Sequence, residues 1–122
     1  MASSGRGSKI KGKEYERWVA NQLNIVFGYQ ARRTPSSGAI QDRFPGDIMD
    51  LGCPLDRFII ECKKQEKTSI WEWLKQAEKS AQIVNKIPLL IFSRNNSKSY
   101  VTISLTEFMD IMKELRDVHC KG

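Results

Sequence analysis

A chain of 122 residues can bury one hydrophobic core and is too short for two. Its 20 Lys and Arg against 14 Asp and Glu give a net charge of +6, which suits a polyanionic partner, although ribosomal and membrane-surface proteins share that bias. No apolar run approaches the roughly 20 residues of a membrane helix, and three cysteines without Cys-x-x-Cys spacing plus a lone His119 argue against a disulfide framework or a zinc site.

Residues 1–9 are basic and Ser/Gly-rich, include Arg6 and Lys9, and read as a mobile arm ahead of one domain over residues 10–122. They also lack the apolar core of a signal peptide, so a cytoplasmic protein without a membrane partner is expected. Over residues 11–27, Tyr15, Trp18, Val19, Leu23 and Val26 recur at helical spacing, and Gly28 stops the run. Glu16 lies on the ridge of Ala20, Leu23 and Phe27, an odd place for an acid; spacing alone fits a flank charge paired with a lysine. Residues 29–34 read as a short strand. The polar loop that follows carries Ser36 and Ser37, with Arg32, Arg33 and Arg43 nearby. Such a loop admits a phosphate backbone and equally describes an ordinary surface segment.

Residues 45–51 and 57–67 then read as two strands joined by turn residues 52–56, an antiparallel hairpin that would bring Asp47 beside Glu61. In the second strand Phe58, Ile60 and Cys62 alternate with Ile59, Glu61 and Lys63, so a carboxylate and an ammonium share one face. Ser69-Ile70-Trp71-Glu72 has the form of a capping box and opens a helix with Ile70, Leu74, Ala77, Ala81 and Val84 on one face. Trp71 and Trp73 at its start have the chemistry to stack on bases, but packing is the commoner use. Residues 89–92 and 100–103 are strands around a turn. A second box, Ser104 to Glu107, opens a last helix with Leu105, Phe108, Met112 and Leu115 facing inward. The expected order is helix, three strands, helix, two strands, helix.

Asp47 and Glu61 on neighbouring strands make a hard-oxygen site. With one backbone carbonyl and several waters, it suits Mg²⁺ or Mn²⁺ better than a soft metal. Lys63 beside that ion is placed to position a water or a phosphate, and the set is equipment for phosphodiester hydrolysis. Read alone, an Asp followed by Glu-x-Lys also fits charges that guard a sheet edge.

The order along the whole chain is more telling: Lys11-Gly12-Lys13-Glu14-Tyr15-Glu16-Arg17, Arg33-Thr34-Pro35-Ser36-Ser37-Gly38, Gly46-Asp47-Ile48, then Ile60-Glu61-Cys62-Lys63. Over roughly residues 9–95 this resembles the PD-(D/E)XK nuclease superfamily and, within it, the archaeal and phage Holliday-junction resolvases. The resemblance implies an α/β fold with a single restriction-endonuclease-like core, a central mixed sheet flanked by helices in αβββαββα order. It implies catalytic roles for Glu16, Asp47, Glu61 and Lys63, and a loop serine, Ser37 or Ser36, near the scissile phosphate. The implied metal ligands are Asp47, Glu61 and the Cys62 carbonyl, with Glu16 acting through water. The superfamily's Pro-Asp stands here as Pro45-Gly46-Asp47, which leaves Asp42 and Asp50 as alternatives to Asp47.

The expected activity is Mg²⁺-dependent cutting of four-way DNA junctions, with Mn²⁺ able to substitute, in the cytoplasm or, for a phage-encoded protein, in that of the host. DNA-binding residues are expected among Arg6, Lys9, Lys11, Lys13, Arg32, Arg33, Ser36, Arg43 and Lys64. Two cuts on a nearly two-fold junction call for a homodimer, for which Trp71, Trp73, Leu89, Ile91 and Phe108 are candidate contacts. The competing readings are a nicking or restriction-type nuclease on duplex or damaged DNA, and a non-catalytic basic DNA-binding module. The module is disfavoured because the acidic cluster would repel phosphate.

Overall fold

The computed structural model describes residues 5–35 and 43–120, with side chains from Lys11 onward. Helix α1 (Gly5–Phe27) leads to β1 (Arg32–Arg33), β2 (Ile48–Met49), a 3-10 turn (Leu55–Arg57) and β3 (Phe58–Lys64). Then come α2 (Ile70–Val84), β4 (Ile87–Ser93), β5 (Tyr100–Thr102) and α3 (Leu105–His119). The expected αβββαββα order and the mixed sheet are both present. β3 and β4 run parallel from Phe58 opposite Ile87 to Lys64 opposite Ser93, and β5 adds antiparallel to β4. Among the described residues no helix is long and apolar enough to cross a membrane.

β3 is covered on both faces, and its alternation decides what meets what. Phe58, Ile60 and Cys62 join Tyr15, Val19 and Ala20 of α1 and Leu89 and Ile91 of β4 in one buried cluster. The other face receives α2, which buries Trp73, Ala77 and Ala81. Trp73 lies 6.1 Å from Phe92, ring to ring, so it is a packing residue, whereas Trp71 is exposed.

Four expectations need correction. Helix α1 opens at Gly5 rather than near Lys11, so Gly5 to Lys9 of the supposed arm is helical. Once the amphipathic part has nucleated, each added residue gains a hydrogen bond, and no proline stops it. The hairpin partner also differs: β2 pairs antiparallel with β1, Arg32 opposite Met49 and Arg33 opposite Ile48, and not with β3. Positive φ at Gly46 and Asp50 brackets the two strand residues and prevents a longer ladder. Of the two capping boxes only the second forms, with the Glu107 N–H donating to Ser104 Oγ at 3.2 Å; the Ser69 side chain caps nothing.

The fourth correction concerns α3. Leu105, Phe108, Met112 and Leu115 are exposed, and Ile111 alone among its apolar residues packs against the core cluster. Arg57 donates to Glu114 at 2.7 Å, but an ion pair open to water on both sides holds the helix only weakly. Between helix and sheet remains an apolar groove of about 420 Å³ lined by Leu55, Phe58, Val101, Ile103, Ile111 and Val118. Of the candidate dimer contacts, Trp73, Leu89 and Ile91 are buried within the chain, while Trp71 and Phe108 are exposed.

Candidate active site

Glu61 sits at the middle of β3 on the α2 face and is 3% exposed. A buried carboxyl needs partners, and here Ser80 of α2 donates its hydroxyl to Oε1 at 2.9 Å. Its other partner is Asp47, which reaches β3 from the side because of Gly46. Gly46 has φ +93°, and a Cβ on it would fall 2.9 Å from Ile59 Cγ2 and 3.2 Å from the Ile60 carbonyl oxygen. Only glycine lets the chain lie that close in that conformation.

Asp47 is then fixed at three points. Its N–H donates to the Ile60 carbonyl at 2.8 Å, its carbonyl accepts from the Thr34 N–H at 2.8 Å, and its Oδ2 accepts from the Cys62 N–H at 2.7 Å. Backbone groups of Ile60 and Cys62 leave the strand on one edge, so the Cys62 carbonyl shares the edge that Asp47 approaches. Gly46→Ala should therefore lower stability by about 1–3 kcal/mol and displace Asp47. Thermal melts with parallel nuclease assays check this, and a variant that melts and cuts like the wild type would contradict it.

The electrostatics follow from two carboxyls in one enclosed place. Burial, and after it the neighbouring Glu61 charge, push Asp47 up to about 8, against the Cys62 N–H and Lys63, which favour its carboxylate. Side-chain contact with Glu61 adds to that charge effect, so the place favours a proton on Asp47. Glu16 is also raised, first by burial and then by Asp47, while Arg33 and Lys63 oppose the shift. The Cys62 thiol is pushed well up by burial, so it packs and does not react.

A divalent cation fits this donor set: two touching carboxyls, short of positive charge, with a backbone carbonyl on the same edge. Among the described residues no group of three or more His, Cys, Asp or Glu side chains stands close enough to hold a metal. Such an ion would take its remaining ligands from water and substrate oxygens.

Of the residues expected at the site, Asp47, Glu61 and Lys63 come together, and Glu16 stands near enough to feel the charges of Asp47 and Lys63. Glu16 accepts from Arg33 Nε at 3.1 Å, so its partner is the strand arginine and not a lysine. Asp50 turns away and pairs with Arg32 at 2.9 Å on the surface. Ser36, Ser37 and Asp42 lie outside the described residues, as do the side chains of Arg6 and Lys9. Lys13 is exposed, Arg43 is exposed and lies 5.9 Å from the Phe44 ring centroid, and Lys11 and Lys64 line a groove beside Tyr15.

Sequence reasoning missed Ser80, Gly46 and Thr34. Ser80 had a visible signal, being a hydroxyl on the stripe Trp73, Ala77, Ala81 that α2 buries. Thr34 had none, because it acts through its backbone.

A family model described as "Phage putative PDDEXK endonuclease" matches residues 7–121. No curated protein and no solved structure matches the chain. The matched span covers the helix, the strands and the acidic pair just described, and the chain belongs to this family of PD-(D/E)XK endonucleases.

Proposed function

We propose that the protein is a divalent-metal-dependent DNA endonuclease that resolves four-way junctions, two copies making paired cuts. The observation that carries the nuclease reading is the meeting of Asp47 and Glu61 at the edge of β3, with the Cys62 N–H fixing one carboxyl and Lys63 one residue further on. Asp47, Glu61 and the Cys62 carbonyl would hold Mg²⁺, or Mn²⁺ in its place. When bound, the ion lowers the pKa of a water and offsets charge developing on the phosphate. The protein's own share is positional: Lys63 brings an ammonium to the phosphate oxygens, and Ser80 holds Glu61 in the rotamer that faces Asp47. Glu16 is assigned to orienting the attacking water.

Junction resolution is supported by the order of motifs along the chain. Pairing of two copies is supported by α3, whose Leu105, Phe108, Met109, Met112, Leu115 and Val118 are exposed. Cleavage of synthetic four-way, flap, duplex and single-stranded DNA in Mg²⁺, read at nucleotide resolution, tests the substrate. Symmetric paired nicks on the junction are expected. Equal cutting of plain duplex would leave a nicking or restriction-type endonuclease. The pairing has its own test: the wild type should scatter light as a dimer at micromolar concentration and Phe108→Glu as a monomer, cutting one strand per encounter. A wild-type monomer both free and on DNA would overturn the paired mechanism.

A further inference from the structure

Between α1, the end of β3 and the β4–β5 turn lies a second, polar groove of about 350 Å³. Lys11, Tyr15 and Trp18 face it from one stripe of α1, Lys64 from the end of β3, and Ser97 and Ser99 from the β4–β5 turn. Tyr15 and Trp18 stack with ring centroids 5.9 Å apart and planes 12° from parallel. Tyr15 is buried and locked, donating its hydroxyl to Ser99 Oγ at 2.8 Å, whereas Trp18 is 48% exposed. The Lys64 ammonium stands 5.8 Å from the centre of the Tyr15 ring. The turn opposite is held in shape by the buried Ser93 hydroxyl, within hydrogen-bond reach of the carbonyls of Arg94, Ser97 and Lys98. The groove thus has an aromatic floor, two cations, the Ser99 hydroxyl and one carboxylate, Glu14.

Two ammoniums and the Ser99 hydroxyl fit a phosphate, an open indole face fits a nucleobase, and Glu14 accepts from an exocyclic amine and not from a phosphate. We infer that the groove holds one unpaired nucleotide of the substrate, its base stacked on Trp18 and its phosphate between Lys11 and Lys64. This rests on the endonuclease reading and narrows its substrate. Bases inside an intact duplex already stack on their neighbours, so the groove selects DNA with an unpaired base, as a single-stranded branch or a junction opened at its centre supplies.

The test is equilibrium binding in EDTA of a labelled duplex and of the same duplex carrying a single-stranded branch. Trp18→Ala should weaken binding of the branched DNA about tenfold and of the duplex less than about twofold, and Trp18→Phe should restore most of the loss. Lys64→Ala should weaken binding of the branched DNA more than of the duplex and flatten its salt dependence. Trp71→Ala, which removes the exposed tryptophan of α2, should change neither. Trp18→Ala that weakens both DNAs alike, or neither, overturns the groove. Because no cleavage is needed, a preference for branched DNA in a protein that never cuts supports the groove while removing the endonuclease reading. Cutting without that preference does the reverse.

Discussion

Glu61→Gln should abolish cleavage, by about a thousandfold or more, while DNA binding stays equal or tightens. The amide keeps the shape of the side chain, and its oxygen can still accept from Ser80, so the fold should survive. What it loses is the charge that makes the pair a cation site, and metal assistance is worth several kcal/mol of the barrier, each 1.36 kcal/mol being tenfold in rate. Removing a carboxylate also removes a repulsion towards phosphate, hence the undiminished binding. Asp47→Asn should behave the same way, because its remaining oxygen can accept from the Cys62 N–H. Single-turnover cleavage beside a gel-shift titration checks both variants, and wild-type rates in either would remove the pair from the mechanism.

The second large effect is a pH dependence whose sign is opposite to that of ordinary acid groups. Asp47 in the folded protein titrates at about 8, above the 3.8 of a free aspartate, so the folded state holds a proton that the unfolded state has released. Its contribution to stability is complete below about 4 and is lost as pH climbs to about 8, at no more than roughly 1.4 kcal/mol per pH unit. In EDTA the melting temperature should fall across that window, and Asp47→Asn should flatten the fall. Mg²⁺ or Mn²⁺ should raise the melting temperature more at the alkaline end, since metal and proton compete for the same oxygens. A melting temperature in EDTA that is level across the window, and identical in Asp47→Asn, would contradict this.

How much of this was legible in the sequence varied with the range of the interaction. Residues 58–63 could be read directly, because alternation within one strand fixes which side chains share a face, and both faces proved to be covered. The meeting of Asp47 with Glu61 was inferred correctly through a wrong pairing. Strand partners are chosen by distant residues, and β1 took the ladder that β3 had been expected to share. Glu16 looked like a flank charge because Arg33, which holds it, lies beyond the helix in sequence. An apolar stripe told which side of α3 is hydrophobic and nothing of what covers it. Helix start signals were equally partial: the two boxes have the same form, and the backbone at Ser69 (φ −133°, ψ 57°) leaves its side chain without a cap bond.

Hydrolysis of DNA by Asp47, Glu61 and Lys63 with a divalent ion leaves a simple signature. The most direct measurement follows one end-labelled four-way junction through incubation with wild-type protein in Mg²⁺, wild-type protein in EDTA, and Glu61→Gln in Mg²⁺. Discrete nicks are expected in the first sample alone. Strand scission that persists in EDTA, or that Glu61→Gln carries out at the wild-type rate, would contradict it.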